Sequence, residues 1–570
     1  MPPPADYRAL ALRWGPLGAC ALVLVVHSLA YNFVTDDAYI SFVYARNLAE
    51  HGQLTFNLGD AVEGYTNFLW TVLLAVSMKL GISPEVGSRL FGTGFALGTL
   101  YVVKRIGEVL GKGPSLWDHL APALLALSAG YACWSSGGLE TQMFTFWVAL
   151  ALLDYARADA EPRRARRWGV WLALAALTRP EGLLVAAVLA LHRLAINVAR
   201  DRRWRPTNDE IMGGFWFVAI VGAYMIWRWR YYGELLPNTY SVKAAGATEG
   251  KNYDHEIHSV GWHYLWTWVW QTRLLVVAPL AVAGLVVARP HSARFTLGTA
   301  ALAVTAAYLA YTVDVGGDFM GLHRFVMPLF VIAAVGVAAG LRLAVERAPA
   351  AWRTWAGPGA AAVLVGLFAW SQISLTRTSL RWRNWTNDRG IDTPSFLRVF
   401  TADRAAIGKH MRGCFGDDDF AVFGGVGAQP YYAEVDGIDL FGLVSWDVAH
   451  CAPRSRPRPG HNKWAPADLL ARQPRRDGHF CPDKVNGRYD WSTVDGGPPT
   501  FWFACYSIHA DPHKPGPFDG VCPPSPAADY ERVTLHIPEL QQKGQYYTFY
   551  KRKDHPLPPT CEGVVPPLLP

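Results

Sequence analysis

Long apolar runs separated by short, often basic loops fill residues 1–375, whereas residues 376–570 read as a polar, soluble segment. The runs lie at about 15–34, 86–105, 119–136, 139–156, 168–178, 183–198, 213–232, 264–288, 294–313, 324–343 and 356–375. A membrane-spanning helix needs roughly 20 apolar residues. The pattern therefore predicts an α-helical polytopic membrane protein with about 11 transmembrane helices. The first run ends near Ser28-Leu29-Ala30, which could pass for a signal cleavage site, but the ten runs that follow favour an uncleaved helix. The run at 168–178 is half a span, stopped by Arg179-Pro180; such a break is tolerated where it lines a cavity or is buried in protein. Counting the apolar stretch at 66–80 as a crossing would put the loops around Lys104-Arg105-Lys112 and Arg157 to Arg167 outside, against the positive-inside rule. It is expected to lie at the outer interface, with Phe68 and Trp70 as interfacial aromatics. With the N-terminus cytoplasmic, an odd number of crossings leaves residues 376–570 outside.

Composition sharpens this picture. The chain is 51% hydrophobic and only 17% charged, which excludes a disordered or collagen-like chain. The net charge of +7 suggests nucleic acid at first sight, but much of the excess sits in loops between apolar runs, where it sets orientation. No nucleic-acid partner is expected. Cys20 and Cys133 lie in apolar runs, where cysteine acts as a small hydrophobe. The other six (Cys414, Cys451, Cys481, Cys505, Cys522, Cys561) fall in the C-terminal segment and lack paired C-x2-C spacing. They predict up to three disulfides in an oxidising compartment, with connectivity open. Two domains are expected, a transmembrane one over 1–375 and an extracytoplasmic, disulfide-containing mixed α/β one over 376–570. In the latter, Phe420-Ala421-Val422-Phe423 reads as a buried strand and 429–444 as a further strand and turn. Trp464, Trp491, Trp502 and Tyr506 are core or sugar-stacking aromatics, and 453–459 and the tail from Pro556 are loops.

This topology gathers six polar clusters on the outer side: Asp36-Asp37; Glu63 to Asn67; Gly137 to Thr141, with Glu140; Thr178 to Glu181; Leu236 to Tyr240, with Lys243; and Asp314 to Arg324. Ionisable groups at a membrane edge are costly and mark functional sites by default. Plainer roles stand beside each. Arg179 with Glu181 would also serve as a salt bridge steadying the helix break, Glu140 likewise, Asn238 as a turn residue after Pro237, and Lys243 as an interface lysine. Together the clusters suit group transfer from a membrane-bound phosphate. A carboxylate takes the proton of an incoming hydroxyl, and Arg179, Lys243 and Arg324 offset charge on the leaving phosphate.

The run Thr35-Asp36-Asp37-Ala38-Tyr39-Ile40-Ser41-Phe42, then Tyr44-Ala45-Arg46-Asn47-Leu48, Phe56-Asn57 and Glu63-Gly64-Tyr65-Thr66-Asn67-Phe68-Leu69-Trp70 resembles the GT-C glycosyltransferases, and more narrowly the AftB-type terminal arabinofuranosyltransferases of mycobacteria and corynebacteria. Tyr231 to Tyr240, Gly316-Gly317-Asp318-Phe319, His323-Arg324-Phe325 and Gly460-His461-Asn462-Lys463 extend the likeness to about residue 470, while Val43 and Leu443-Val444-Ser445-Trp446 depart from the commoner pattern. The resemblance implies a GT-C enzyme that moves a sugar, arabinofuranose first, from a polyprenyl phosphate such as decaprenyl phosphate to a cell-envelope glycan or glycoconjugate. It would work on the outer face of the cytoplasmic membrane. It implies Asp36 and Asp37 as catalytic candidates. Arg179, Lys243, Arg324 and His323 are candidates for the donor phosphate and lipid, and Glu63, Tyr65, Asn67, Glu140, Glu181, Asn238, Tyr240, Asp318, His461 and Lys463 for the sugar and acceptor. A divalent cation at the acidic pair is compatible with the family and not required. Another donor sugar (mannose or an aminopentose) and a lipid-linked-sugar transporter are the competing readings.

Overall fold

Backbone polar groups in hydrocarbon must be satisfied within their own segment, so apolar runs fold as helices. The computed structural model describes residues 7–566, apart from 112, 245–247, 249–251, 289–291, 354, 382–390, 417, 472–478, 480, 486–487, 491–496 and 525–527. Among the described residues seven helices are long and apolar enough to cross a membrane: Arg13–Tyr31, Pro84–Gly111, Glu181–Arg200, Asn208–Tyr232, Ala293–Asp314, Gly321–Arg347 and Ala356–Arg381. An eighth crossing arises if the bent pair Tyr253–Gln271 and Leu274–Val286 counts as one. The protein is thus a multi-pass membrane protein, with fewer full-length spans than the apolar runs suggest.

The difference has a local cause. The runs at 119–136, 139–156 and 168–178 fold into Leu120–Leu127, Ala129–Ser136, Thr141–Arg157 and Arg164–Thr178, helices of 8, 8, 17 and 15 residues. Every residue of Ala129–Ser136 is buried, so these pieces form the bundle interior. The run at 264–288 is no straight span either. Arg273 takes a left-handed backbone (φ 57°), and the chain turns through 86° between the helices on either side. The break at Arg179 is present, with Arg179 extended between helices ending at Thr178 and starting at Glu181. Phe68–Lys79 forms a 12-residue helix, about 18 Å long and too short to cross alone.

Small residues let the interior helices touch. A side chain added at Gly169 would run into the Gly213 carbonyl, and one at Gly213 into that of Ala165. This is the close backbone approach that small residues permit in membranes.

The C-terminal segment builds a mixed sheet in the order Asp436–Asp439, Phe420–Phe423, Phe501–His509, Tyr546–Arg552, Tyr530–His536. The first three strands run parallel and the rest antiparallel, with Asp519–Gly520 paired on Phe501–His509. The strand at Phe420–Phe423 forms where expected, whereas 429–444 holds a short helix, Ala428–Ala433, before its strand. The six cysteines pair as Cys414–Cys561, Cys451–Cys481 and Cys505–Cys522, while Cys20 and Cys133 are free and buried. Trp502 is fully buried in the sheet core and unavailable to a sugar, whereas Trp491 lies outside the described residues. One apolar core runs across the expected domain division: Ile40, Val43, Tyr44 and Phe56 pack with Ile407, Met411, Val426 and Val444.

Gly169→Val should overpack this helix contact and cost about 1–3 kcal/mol. Gly222→Val, on a helix position with no neighbour within 4 Å, should change stability by less than about 0.5 kcal/mol. Thermal melts of the two variants in the same detergent check this; equal melting temperatures would contradict the packing.

Candidate active site

The chain leaves the first span, and Thr35 donates its N–H to the Gly137 carbonyl (3.1 Å) before the helix Asp36–His51 begins. Two acids in a first helical turn sit favourably at the positive end of the helix dipole. Successive helical residues point about 100° apart, so the two carboxylates meet different surroundings. Asp36 Oδ1 accepts a hydrogen bond from the Ala428 N–H at 2.8 Å. Gly427 lies so close that any side chain there would strike the Asp36 carboxylate. Asp37 has no hydrogen bond and no ion pair within 4 Å among the described residues; the charges it feels are Arg324, Asp36, Asp318 and Lys243. Both acids are partly accessible although protein surrounds them, so they face a cleft. Burial pushes Asp37 up to about 7, with Arg324 and Lys243 pulling down and Asp36 and Asp318 pushing up. Burial also raises Asp36, opposed by the Ala428 N–H and Arg404.

The candidate cations divide by commitment. Arg179 is paired on both sides, with three of its five N–H groups donated: to Glu140 at 2.6 Å and to Glu181 at 2.7 and 3.2 Å. Glu140 also accepts from Asn67 Nδ2 at 2.9 Å, and Asn67 in turn bonds Ser41. This buried network holds the helix break and the first-loop motif together. Arg324 spans Asp318 (2.5 and 3.4 Å) over the Trp134 ring, with its remaining N–H groups uncommitted. Lys243, last in the short helix Asn238–Lys243, is exposed and has no ion pair within 4 Å among the described residues. Burial by the surrounding protein lowers its pKa, and neighbouring Arg324 adds to this. His323 turns elsewhere. Its Nε2 lies 2.9 Å from Gln271 Oε1, and it lines a cavity whose walls include none of Asp37, Lys243 or Arg324.

The residues expected to hold sugar or acceptor mostly hold the protein. Glu63 pairs with Arg228 (2.8 Å) and accepts from Tyr224 (2.9 Å), and burial raises it to about 7 against the Arg228 charge. The Tyr65 hydroxyl meets that of Tyr232 at 3.1 Å. Asn238 donates to the carbonyls of Gly442, Leu443 and Ser445 at 2.7, 3.1 and 3.3 Å. At Gly64 an added Cβ would sit 2.6 Å from Val444 Cγ1. The unusual Leu443-Val444-Ser445-Trp446 stretch is therefore a seat for the first-loop motif. His461 lies edge-on between Phe319 (4.8 Å) and Phe441 (4.5 Å), and burial lowers it to about 3. Lys463 is buried on the Ala449 carbonyl and lowered to about 8. Tyr240 is exposed beside Lys243's helix start. Of the expected groups, the structure brings Asp36, Asp37, Lys243, Asp318 and Arg324 to one place.

Sequence reasoning missed Arg404, Gly427 and Ala428. Arg404 is buried on Tyr506 (4.2 Å from the ring centre), bonds Gln429 at 3.1 Å and faces Asp36. The available signal was Gly424-Gly425-Val426-Gly427 directly after the Phe420–Phe423 strand, a turn too glycine-dense for ordinary loop duty. Among the described residues no three Asp, Glu, His or Cys side chains are grouped to hold a divalent cation, and Arg324 and Lys243 already contribute positive charge at Asp37.

An unfolded aspartate titrates near 3.9, so raising Asp37 to about 7 means the folded protein keeps that proton while the unfolded chain loses it. Its ionisation therefore costs stability as pH rises between these values. Asp37→Asn should melt above the wild type at pH 8 and level with it near pH 4; a constant offset across this range would contradict the placement. Gly427→Ala should displace Asp36 and destabilise by roughly 1–3 kcal/mol in denaturant or thermal unfolding, with no loss expected if the contact is absent.

No protein-family profile matches the chain. It is 25% identical over 343 residues to the terminal beta-(1->2)-arabinofuranosyltransferase of Corynebacterium glutamicum, covering 53% of this chain and 47% of that protein. It is 28% identical over 373 residues to the protein of the same name in Mycobacterium tuberculosis, covering 57% and 55%. The chain thus spans about half the length of the curated relatives it matches. Among solved structures, ArnT from Cupriavidus metallidurans bound to undecaprenyl phosphate aligns at TM-score 0.48 and 13% identity, over 76% of this chain and 86% of that one. Arabinofuranosyltransferase AftD from Mycobacteria aligns at 0.41 and 15%, over 80% and 34%. By sequence, this chain is similar to two proteins named terminal beta-(1->2)-arabinofuranosyltransferase.

Proposed function

We propose that the protein transfers a sugar, arabinofuranose, from a polyprenyl-phosphate donor to a cell-envelope glycan at the outer side of the cytoplasmic membrane. The observation that carries this is the Asp37 carboxylate, which makes no hydrogen bond among the described residues, is raised to about 7 by burial, and feels the charges of Arg324 and Lys243. In the transfer the acceptor oxygen bonds to the anomeric carbon, the bond from that carbon to the phosphate oxygen breaks, and the acceptor proton passes to Asp37. A base is most effective with a pKa near the working pH. Lys243 and the free N–H groups of Arg324 take up the charge that grows on the leaving phosphate. Asp36, held by Ala428, orients the helix start that carries Asp37. The N-terminus is read as cytoplasmic and the sheet domain, residues 376–570, as extracytoplasmic; its three cystines suit an oxidising compartment.

Isolated membranes offered radiolabelled polyprenyl-phosphoryl arabinofuranose or polyprenyl-phosphoryl mannose test the reading. Transfer is expected from the arabinofuranose donor, reduced about 10²–10⁴-fold by Asp37→Asn and about tenfold by Asp36→Asn, whose amide oxygen still accepts from Ala428. Transfer from mannose alone would overturn the sugar, full activity in Asp37→Asn would overturn the base, and donor translocation without transfer would make the protein a transporter.

A further inference from the structure

The helix Tyr253–Gln271 joins the next one, Leu274–Val286, through an 86° bend at the left-handed Arg273. Leu274–Val286 has no charged residue and lies in the bundle, with the backbone of Leu280, Ala281 and Gly284 against Gly336 and Gly340 of the span Gly321–Arg347. A helix nearly at right angles to one that packs beside a span is directed along the membrane plane. Its composition agrees. Asp254, His255, Glu256 and His258 are exposed in its first half. Only residues 260–271 are apolar enough for lipid, about 18 Å of helix against a hydrocarbon core of about 30 Å.

The two faces of this helix meet different surroundings. Tyr253, Ile257, Gly261, Tyr264 and Trp268 are buried at helical spacing and cover the loop that carries Asp318 and Arg324. Gly316 and Gly317 in that loop take left-handed backbone (φ 80° and 74°). An added Cβ there would lie 2.5 Å from Ile257 Cδ1 or 2.6 Å from Tyr264 Cγ. Phe325, next to Arg324, donates its N–H to the Tyr264 hydroxyl at 3.3 Å. The opposite face presents Trp262, Trp266 and Trp270, about one helical turn apart and 65%, 57% and 57% exposed.

A contiguous exposed apolar surface marks an interaction site, and its neighbours identify the partner. Beyond Trp270 the chain runs into the exposed Leu275 and Val276, which in a multi-pass membrane protein are covered by lipid. Tryptophan, with an apolar body and one N–H donor, is enriched at headgroup level. Arg273 lies over Trp270, 5.2 Å from its ring centre, and adds a cation suited to lipid phosphates.

We propose that this stripe is a lipid-docking surface. The helix lies in the bilayer interface on the side that carries Asp37 and Arg324. Trp262, Trp266 and Trp270 enter the boundary between headgroups and acyl chains to a depth of about 5–10 Å. The buried face then holds Arg324 at headgroup height. The use of that height rests on the transferase reading, in which Arg324 meets a lipid phosphate; the docking itself does not.

The test uses the full chain in nanodiscs of phosphatidylcholine and phosphatidylglycerol. Nitroxide labels at Trp262→Cys, Trp266→Cys and Trp270→Cys, one at a time, are read for collision with oxygen and with a water-soluble nickel chelate. Val276→Cys gives a reference inside the hydrocarbon. The three labels are expected at one shallow depth, above that reference. A crossing helix would instead spread them over about 12 Å and overturn the proposal. So would labels reached by the chelate alone, which mean water, or by neither probe, which mean a protein cover. An unlabelled chain with Trp262→Phe, Trp266→Phe and Trp270→Phe repeats the test without cysteine. Quenching of its tryptophan fluorescence by lipids brominated near the headgroup should fall below that of the wild type, and unchanged quenching would overturn the docking. Docked tryptophans in a chain that transfers no arabinofuranose would defeat the proposed reaction and leave this surface standing.

Discussion

The hydrogen bond from Ala428 to Asp36 fixes where the membrane bundle and the extramembrane sheet meet, and the candidate site depends on it. It joins residues 392 positions apart. Its strength alone is modest, since a hydrogen bond to a charged group contributes about 1.5–3 kcal/mol. Its geometry matters more. By holding one acid of the first helical turn, it leaves the next one, Asp37, about 100° further round the helix and within electrostatic reach of Arg324 and Lys243. Parallel contacts keep the joint from rocking. Asn57 exchanges two hydrogen bonds with the backbone of Gly437, Arg46 donates to the Tyr431 carbonyl, and Tyr432 donates to Glu85. The sheet domain is therefore part of the site.

Within that frame, charge acquires meaning from what it is already bound to. A buried ion pair often does little for stability but fixes a particular arrangement. Arg179 between Glu140 and Glu181, and Arg228 on Glu63, are such pairs: their hydrogen bonds are spent on protein. The Lys243 and Asp37 side chains differ: neither has a hydrogen bond or ion pair among the described residues, and each lies within the other's electrostatic reach. Groups left uncommitted in a cleft, with titration displaced toward neutrality, are the usual sign of chemistry.

Much of this was legible in the sequence, and the failures are instructive. The helix break at Arg179, the strand at Phe420–Phe423 and the segregation of six cysteines all follow from composition and spacing. Topology, residue type and the family resemblance together put Asp37, Lys243, Asp318 and Arg324 among a larger set of candidates. Hydropathy does not separate a crossing from a helix buried in protein, and Ala129–Ser136 is buried in protein. It also joined Tyr253–Gln271 to Leu274–Val286, since nothing apolar marks the left-handed Arg273. The partners of Asp36 were invisible because a glycine turn names no partner. Glu63, Tyr65 and Asn238 were given to the ligand because a polar motif beside a membrane looks the same whether it binds a sugar or the neighbouring loop.

The asymmetry of the two acids is open to direct test in a structure of the full chain with a non-transferable polyprenyl-phosphate sugar analogue. The phosphate oxygens are expected on Lys243 and Arg324, the anomeric carbon facing Asp37, and Asp36 still bound to Ala428. A sugar seated against Asp36, with the Ala428 contact broken and Asp37 turned away, would contradict it.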